Sequence, residues 1–272
     1  MKQDLDFKGR TLVMGIINVS PDSFFAGSRA VDHEYAVERA LQFEDLGADI
    51  IDVGGESTRP GSSRIGIDEE KRRVIPVLEG IRKRSDITLS VDTYKPEVAA
   101  AAIECGATIV NDISGLRFES GMEEVVSGAD VYLVLMHMRG IPENMQQHTE
   151  YGDLIGDISQ EIDVSIDRAM TAGIGKDRII IDPGIGFAKT AAQNLRIIKN
   201  LTRFKRKEFP LLIGLSRKSF LGVYTGLQPQ DRIVPTIAAN AIAILLGADI
   251  IRVHDVKEAA ETVKIADAVR RS

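Results

Sequence analysis

The sequence GADII occurs twice in this chain, at residues 47–51 and again at 247–251. The first copy continues as DVGGESTRPG and the second as RVHDV. A glycine followed at once by an apolar run is typical of a helix that ends in the left-handed conformation and leads into a buried strand. Related strings begin at residues 106 (GATIV), 128 (GADVY) and 173 (GIGKDRIII). The repeat therefore predicts helix-to-strand junctions. The polar residues after each strand are then the candidates for a functional role.

Eight short segments rich in Ile, Val and Leu alternate with longer amphipathic ones. Their apolar residues run on without alternation, as in parallel strands buried on both faces. Strands are predicted at 11–17, 48–53, 87–92, 107–112, 131–137, 178–182, 210–215 and 248–253. Helices are predicted at 34–46, 68–84, 95–104, 158–172, 191–207, 232–246 and 256–271, with a short one near 122–127. Eight such units predict a closed (β/α)8 barrel, the TIM barrel, as a single α/β domain over residues 1–272.

Composition narrows the function classes. The net charge of −6 argues against a general nucleic-acid-binding surface, and the single cysteine excludes an internal disulfide or a cysteine-based metal cluster. Neither a signal peptide nor an apolar run of about 18 residues is visible, so no membrane association is expected. The sequence predicts a cytoplasmic protein that acts on small molecules.

Polar side chains close most of the predicted strands, at the end of a barrel where active sites lie. Asp92, Asn111 and Asp182 each end a strand. Two carboxylates and an amide suit a flat heterocycle that presents adjacent N–H donors. The same residues could instead cap helices, form turns, bind a metal or act as a glycosidase acid pair.

Lys218 lies in GLSRKSFLG, directly after a predicted strand. It could be a surface lysine, although the neighbouring serines and glycines are more typical of a ligand-binding loop. Two chemical interpretations remain open. One is a Schiff-base lysine with a lowered pKa, as in aldolases, and the other is a charged donor to a heterocycle or a leaving group.

A group of cations and neutral donors indicates an anion site at the same end. Arg252 and His254 alternate with Val253, so their side chains point the same way, into the barrel mouth. Asn18 ends the first strand, and GESTRPG adds Thr58 and Arg59. This set suits a phosphate or pyrophosphate.

The sequence indicates less specific roles for two apolar residues, a histidine and a loop. Met136 and Phe187 fit apolar walls around an aromatic ligand. His137 could belong either to the core or to the wall of the site. The loop DSFFAGSRAVD at 22–32, which contains glycine and serines, is predicted to be a mobile lid.

Taken together, the motifs resemble the dihydropteroate synthase family. They are GIINVSPDSF, VGGESTRPG, SVDTYKPEV, NDISG, LMHMRGIPENMQ, IDPGIGFAKT, GLSRKSFLG and GADIIRVHDV, and they follow the family's order from residue 14 to 256. The resemblance implies an enzyme of folate biosynthesis. Such an enzyme joins 6-hydroxymethyl-7,8-dihydropterin diphosphate to 4-aminobenzoate, releases pyrophosphate with the help of Mg2+, is inhibited by sulfonamides, and forms a homodimer through late helices.

The resemblance also implies roles for individual residues. The pterin would be held by Asp92, Asn111, Asp182 and Lys218, together with Met136 and Phe187. The pyrophosphate would be bound by Asn18, Arg59, Arg252 and His254, with Asn18 also a ligand of Mg2+. The aminobenzoate pocket would be bordered by Thr58, Arg59, Phe187, Lys218 and Ser219. Catalysis would depend on Asp92, Lys218, Arg252 and His254.

The chain departs from the family pattern at a few positions. Phe25 and Ala26 replace a Ser-Asp pair in the lid, Tyr94 stands where a small residue is common, and RIVPTIAANA differs before the last helix. Three alternatives stay open: a methyltetrahydrofolate-binding methyltransferase of the same barrel family, a Schiff-base aldolase, and a non-catalytic pterin carrier.

Overall fold

A computed structural model of the chain describes residues 5–7, 9–19, 29–205 and 209–272. The strands are β1 Leu12–Asn18, β2 Ile50–Gly54, β3 Thr88–Asp92, β4 Ile109–Asp112, β5 Tyr132–Met136, β6 Ile179–Asp182, β7 Leu212–Gly214 and β8 Ile250–Val253. The helices are α1 Arg29–Asp45, α2 Ile67–Arg82, α3 Pro96–Glu104, α4 Met122–Ala129, α5 Leu154–Thr171, α6 Ala191–Lys199, α7 Leu201–Phe204, α8 Ser219–Thr225, α9 Ile233–Leu245 and α10 Val256–Arg271. None of these helices is both long and apolar enough to cross a membrane.

The eight strands form one parallel sheet in the order β6-β5-β4-β3-β2-β1-β8-β7. The two outer strands, β6 and β7, meet through a bridge between Ile181 and Leu211 and through the Ile181 amide, which donates to the Pro210 carbonyl at 3.0 Å. The sheet therefore closes into the predicted (β/α)8 barrel, with a narrow seam between β6 and β7.

The barrel interior changes from apolar to polar along its axis. Its lower layers are filled by Leu12, Met14, Ile50, Ile109, Tyr132, Val134, Ile180, Leu212 and Ile250. Since inward side chains recur every second residue, the same rows continue upward into polar side chains. In β2 the inward residue after Ile50 is Asp52, in β4 the one after Ile109 is Asn111, and in β8 the one after Ile250 is Arg252. A larger apolar core lies outside the strands, between the sheet and the helices.

The two GAD strings make the same junction at the lower end of the barrel. Gly47 and Gly247 both have left-handed backbones, with φ of 98° and 104°, which glycine adopts without strain. Asp49 accepts the Val13 amide and Arg10, and Asp249 accepts the Leu211 amide and Lys205. Each aspartate thus ties the start of its strand to a neighbouring strand, which explains why the string recurs.

Local details differ from the predictions at three places. At 128–132 the left-handed residue is Asp130 rather than Gly128, which lies inside α4. The helix predicted over 191–207 breaks at Asn200 into α6 and α7. The short helix α8 was not predicted, because seven residues are too few to show a helical period.

Candidate active site

The upper end of the barrel opens into a cavity of about 460 Å³, measured with its mouth. It is lined by residues from the ends of the strands and from the loops that follow them. They are Ile16, Thr58, Asp92, Asn111, Ile113, Met136, Asp182, Phe187, Gly214, Ser216, Lys218, Arg252 and His254. The structure therefore brings most of the predicted site residues to one place, although they are far apart in the sequence.

Asp52, which the sequence analysis did not single out, organises the base of this cavity. Its carboxylate accepts hydrogen bonds from Ser90 Oγ at 2.6 Å, Asn111 Nδ2 at 3.0 Å and Arg252 Nε at 2.6 Å. It is fully buried. The signal was present in the sequence, because an inward-facing aspartate within the apolar run ADIIDV needs buried partners. Its position before the end of the strand separates it from the polar residues that close the strands.

Arg252 lies between two carboxylates. Besides the contact with Asp52, its Nη2 donates to Asp92 Oδ2 at 2.6 Å. Nη1 has no hydrogen-bond partner in the described part of the chain, so this nitrogen can still donate to an anion. Burial raises the pKa of Asp92 to about 7, with Arg252 opposing the shift and the nearby Asp52 adding to it. The carboxylates of Asp52 and Asp92 therefore both accept hydrogen bonds from the guanidinium of Arg252.

Asp182 is fixed by the loop that follows β6. Its Oδ1 accepts the Gly184 amide at 2.7 Å, and burial raises its pKa. Gly184 has φ of 69°, and a β-carbon there would lie 1.9 Å from the His137 carbonyl oxygen. Only glycine therefore allows the loops after β5 and β6 to cross at this distance.

Lys218 reaches the cavity from the residue before α8. Its ammonium donates to the Ile185 carbonyl at 2.5 Å and lies 4.3 Å from the centre of the Phe187 ring. Both contacts favour a charged donor. Burial nevertheless lowers its pKa to about 8, with Asp182 opposing and Arg252 reinforcing the shift.

The preceding residue, Arg217, has a left-handed backbone with φ of 56°. Its side chain pairs with Asp255, and its amide donates to Thr236 Oγ1 at 3.0 Å. These contacts fix the turn that aims Lys218 at the cavity.

His254 lies at the top of β8, beside Arg252. Its backbone amide donates to Ser216 Oγ at 3.1 Å, and its Nδ1 lies 3.0 Å from the same oxygen. Burial and the charge of Arg252 lower its pKa to about 4, so the ring is neutral near pH 7. A neutral imidazole can donate only one N–H.

Comparison with known proteins agrees with this geometry. A family model described as pterin binding enzyme matches residues 14–254. A dihydropteroate synthase of Synechocystis sp. is 45% identical over 267 residues, which are 98% of this chain and 92% of the relative. The chain belongs to the dihydropteroate synthase family.

Solved structures of this family also match the fold. A dihydropteroate synthase of Yersinia pestis in a sulfonamide drug complex superposes with a TM-score of 0.93 at 42% identity, covering 98% of this chain and 97% of that one. A dihydropteroate synthase of Xanthomonas albilineans in complex with 7,8-dihydropteroate superposes with a TM-score of 0.89 at 38% identity. The matched region covers 98% of this chain and 96% of the Xanthomonas albilineans chain.

Three residues that the family resemblance selects do not line the cavity itself. Asn18 ends β1 and is half-buried, and it pairs in register with Gly54. Arg59 is exposed after β2, although its charge still contributes to the lowered pKa of His254. Ser219 is exposed as the first residue of α8. Residues 22–28 of the predicted lid, which include Phe25 and Ala26, lie outside the described residues. The lid was predicted to extend to residue 32, but residues 29–32 belong to α1.

Tyr94, one of the departures from the family pattern, belongs to a buried cluster beneath the loop after β2. Its hydroxyl donates to Glu56 Oε1 at 2.7 Å, and Lys95 Nζ donates to Glu56 Oε2 at 2.6 Å and to Glu70. Glu56 also accepts the Ile65 amide at 2.9 Å. Glu56 therefore fixes both ends of the segment that carries Thr58 and Arg59.

His137 belongs to a buried polar network rather than to the cavity lining. Its Nδ1 lies 3.0 Å from Lys189 Nζ, and its Nε2 lies 3.0 Å from Glu161. Lys189 also donates to the Phe187 carbonyl at 2.8 Å. Burial and the charge of Lys189 lower the pKa of His137 to about 3. The network supports the backbone of the loop that carries Phe187.

Proposed function

We propose that this chain is a dihydropteroate synthase that condenses 6-hydroxymethyl-7,8-dihydropterin diphosphate with 4-aminobenzoate to give 7,8-dihydropteroate and pyrophosphate. The observation that carries the proposal is the shared cavity. Asp92, Asn111 and Asp182 face it together with Lys218, Arg252 and His254. A receptor for a hydrogen-bonding heterocycle would thus lie beside a receptor for an anion.

The pterin would bind at the base of the cavity. Asp92 and Asp182 would accept its ring N–H groups, and Met136 and Phe187 would pack against its faces. One N–H of Asn111 already donates to Asp52, and the amide oxygen would serve as an acceptor for the pterin. Lys218 would supply a charged donor to the acceptor atoms of the ring.

The diphosphate would bind at the rim. Arg252 and His254 line the cavity, and Arg252 Nη1 would be free to donate to the diphosphate. Asn18 would reach the leaving group from the end of β1, and Arg59 would reach it from the loop after β2. These groups would stabilise the negative charge that grows on the leaving oxygen as the methylene carbon–oxygen bond breaks. The electron-rich dihydropterin would delocalise the positive charge left on carbon.

Mg2+ is proposed as the cofactor, with Asn18 as its protein ligand. Within the described ranges no group of three or more His, Cys, Asp or Glu could hold a metal ion. Mg2+ commonly takes one or two protein oxygens and completes its shell with phosphate oxygens and water, which fits one amide beside a diphosphate. When bound, it would neutralise charge on the diphosphate.

The aminobenzoate would approach from the mouth, between Thr58, Arg59, Phe187, Lys218 and Ser219. Its amine nitrogen would form the new bond to the methylene carbon and then lose a proton. Since the amine itself is the nucleophile, no covalent enzyme intermediate is required. A charged Lys218 that contacts a carbonyl and an aromatic face suits this role better than that of a Schiff-base lysine.

The direct test is to incubate the purified chain with both substrates and measure pyrophosphate and dihydropteroate. Asp182→Asn should weaken pterin binding severely, and Arg252→Ala should lower turnover by on the order of 10²-fold or more. Near-normal turnover of Asp182→Asn would contradict its assigned role. Pterin binding without product would favour a carrier, and borohydride trapping at Lys218 would favour an aldolase. Methyl transfer from methyltetrahydrofolate would favour the methyltransferase.

We also propose a homodimer formed through the late helices. Exposed apolar side chains occur on α8, α9 and α10, which pack in sequence against one another. They are Val223, Tyr224, Val234, Ile242, Leu245, Ile265 and Val269. Light scattering should give twice the chain mass, and Ile265→Glu should shift the mass toward that of one chain.

The single domain over residues 1–272 and the cytoplasmic location remain predictions. Limited proteolysis should leave one core fragment rather than two. Fractionation of the source cells should recover the enzyme with the cytoplasmic proteins.

A further inference from the structure

Ser216 and His254 contact each other twice at the rim of the cavity. Ser216 follows β7 and is buried, and His254 follows β8. The His254 backbone amide donates to Ser216 Oγ at 3.1 Å, and the imidazole Nδ1 lies 3.0 Å from the same oxygen. One hydroxyl therefore serves both the backbone and the ring of a single residue.

The number of protons available decides the direction of the second contact. A serine hydroxyl has one proton to donate and two lone pairs to accept with. The amide can only donate, so it uses one lone pair. Among the described residues, Ser216 Oγ makes these two hydrogen bonds and no other. Donation to Nδ1 is therefore the hydrogen bond that satisfies the hydroxyl proton within the described protein.

This direction fixes the tautomer of the ring. If Nδ1 accepts, the single proton of a neutral imidazole is on Nε2. Because Nδ1 is occupied by Ser216, Nε2 is the nitrogen left for a ligand in the cavity that His254 lines. The ring then offers a donor there. The other tautomer would turn a lone pair toward an anionic ligand and repel it.

We propose that Ser216 is a positioning residue that holds His254 as the Nε2–H tautomer, so that the ring donates to a diphosphate oxygen as the leaving group gains charge. The role of this donor rests on the proposed function. The tautomer itself is a property of the chain without substrate, so the two can be tested separately.

The tautomer can be read by NMR on the full chain labelled with 15N-histidine. The chain has four histidines, and the His254→Gln variant assigns the relevant signals. At pH 7 we expect an unprotonated Nδ1 and a protonated Nε2 for His254. Ser216→Ala should mix the two tautomers and move both nitrogen shifts, whereas Ser216→Thr should keep the wild-type pattern.

Ser165→Ala is the matched control. Ser165 is also a buried serine, and its hydroxyl donates to the Gly115 carbonyl at 2.9 Å, away from His254. The His254 signals should be unchanged in this variant. A protonated Nδ1 in the wild type, or an unchanged tautomer in Ser216→Ala, would overturn the proposal.

Kinetics supply the second measurement. Ser216→Ala should lower kcat by on the order of 10-fold, less than the 10²–10³-fold typical of removing a charge-stabilising donor itself. Ser216→Thr should restore most of it, and the KM for 4-aminobenzoate should not change. Wild-type kcat in Ser216→Ala would overturn the positioning role. The expected NMR pattern in a chain that makes no dihydropteroate would overturn the proposed function and leave the tautomer assignment intact.

Discussion

Asp52 joins side chains from three other strands at the base of the cavity. It holds Ser90 from β3, Asn111 from β4 and Arg252 from β8, and it is fully buried. Arg252 and Asn111 are proposed to contact the diphosphate and the pterin. A single carboxylate therefore sets the positions of groups in both halves of the site.

Replacing Asp52 by Asn should impair both stability and catalysis. The change removes the charge that balances a buried guanidinium, which we expect to cost about 3 kcal/mol of unfolding free energy. Turnover should fall by on the order of 10²-fold, since Arg252 would lose its orientation. Denaturant unfolding and a pyrophosphate-release assay measure the two effects.

Asp267→Asn provides the matched control for that experiment. Asp267 is buried at the lower end of the barrel, where it accepts the Thr11 amide at 2.7 Å and the Thr11 hydroxyl at 2.9 Å. This variant should lose stability and keep its turnover. Equal loss of turnover in both variants would mean that Asp52 acts only through stability.

Lys218 gives the reaction a pH dependence. Burial lowers its pKa to about 8, so the charged form that is proposed to donate to the pterin is lost as pH rises through that value. Turnover should fall above pH 8. Lys218→Arg should move the fall to higher pH, because guanidinium keeps its proton. Initial rates from pH 6 to 10 test this, and an unchanged falling limb in the variant would contradict it.

The same shift has a consequence for stability. Between about pH 8 and the ordinary lysine value near 10.5, the unfolded chain binds a proton that folded Lys218 has released. Unfolding free energy from this group therefore rises with pH across that interval.

At the scale of elements, the loop after β2 depends on the cluster beneath it. Glu56 accepts from Tyr94, Lys95 and the Ile65 amide, and the segment between residues 56 and 65 carries Thr58 and Arg59. Burial raises the pKa of Glu70, the second acid on Lys95. The loop is thus attached to β3 and α2 through one lysine and one tyrosine.

Tyr94→Phe should loosen this loop without opening a cavity. It removes one buried hydrogen bond, with an expected cost of about 1–2 kcal/mol. The KM for 4-aminobenzoate should rise several-fold while the KM for the pterin diphosphate changes little. Tyr132→Phe is the control, because its hydroxyl accepts the Leu5 amide at the other end of the barrel. An equal rise in both KM values would contradict the loop assignment.

The elements also show how far the sequence predicts the structure. The strands could be predicted because buried parallel strands repeat as apolar runs. The position of Asp92 and Asp182 in one cavity could be predicted because the carboxyl ends of these strands meet at one end of the barrel. The partners of Arg252 could not, because a carboxylate inside an apolar run gives no sign of what it contacts. The left-handed residue at the junction near 128–132 could not be predicted either. It is Asp130 and not Gly128, since a short polar side chain also tolerates the left-handed conformation.

At the scale of the whole molecule, the barrel closes least firmly between β6 and β7. These strands share the Ile181–Leu211 bridge, whereas β1 pairs with β2 over Met14–Asn18 and with β8 over Leu12–Gly15. Amides of residues 211–214 should exchange with deuterium faster than those of residues 12–18. Mass spectrometry of peptides from the full chain measures this. Equal protection of both segments would mean that the seam is as stable as the rest of the barrel.

The aspartate-tied junctions at Asp49 and Asp249 lie at the opposite end of the barrel from the cavity. The lower end carries the junctions that tie neighbouring strands together, and the upper end carries the proposed site. A fluorescent dye or a tether to a sensor surface attached near the lower rim would therefore leave the path of incoming substrates open.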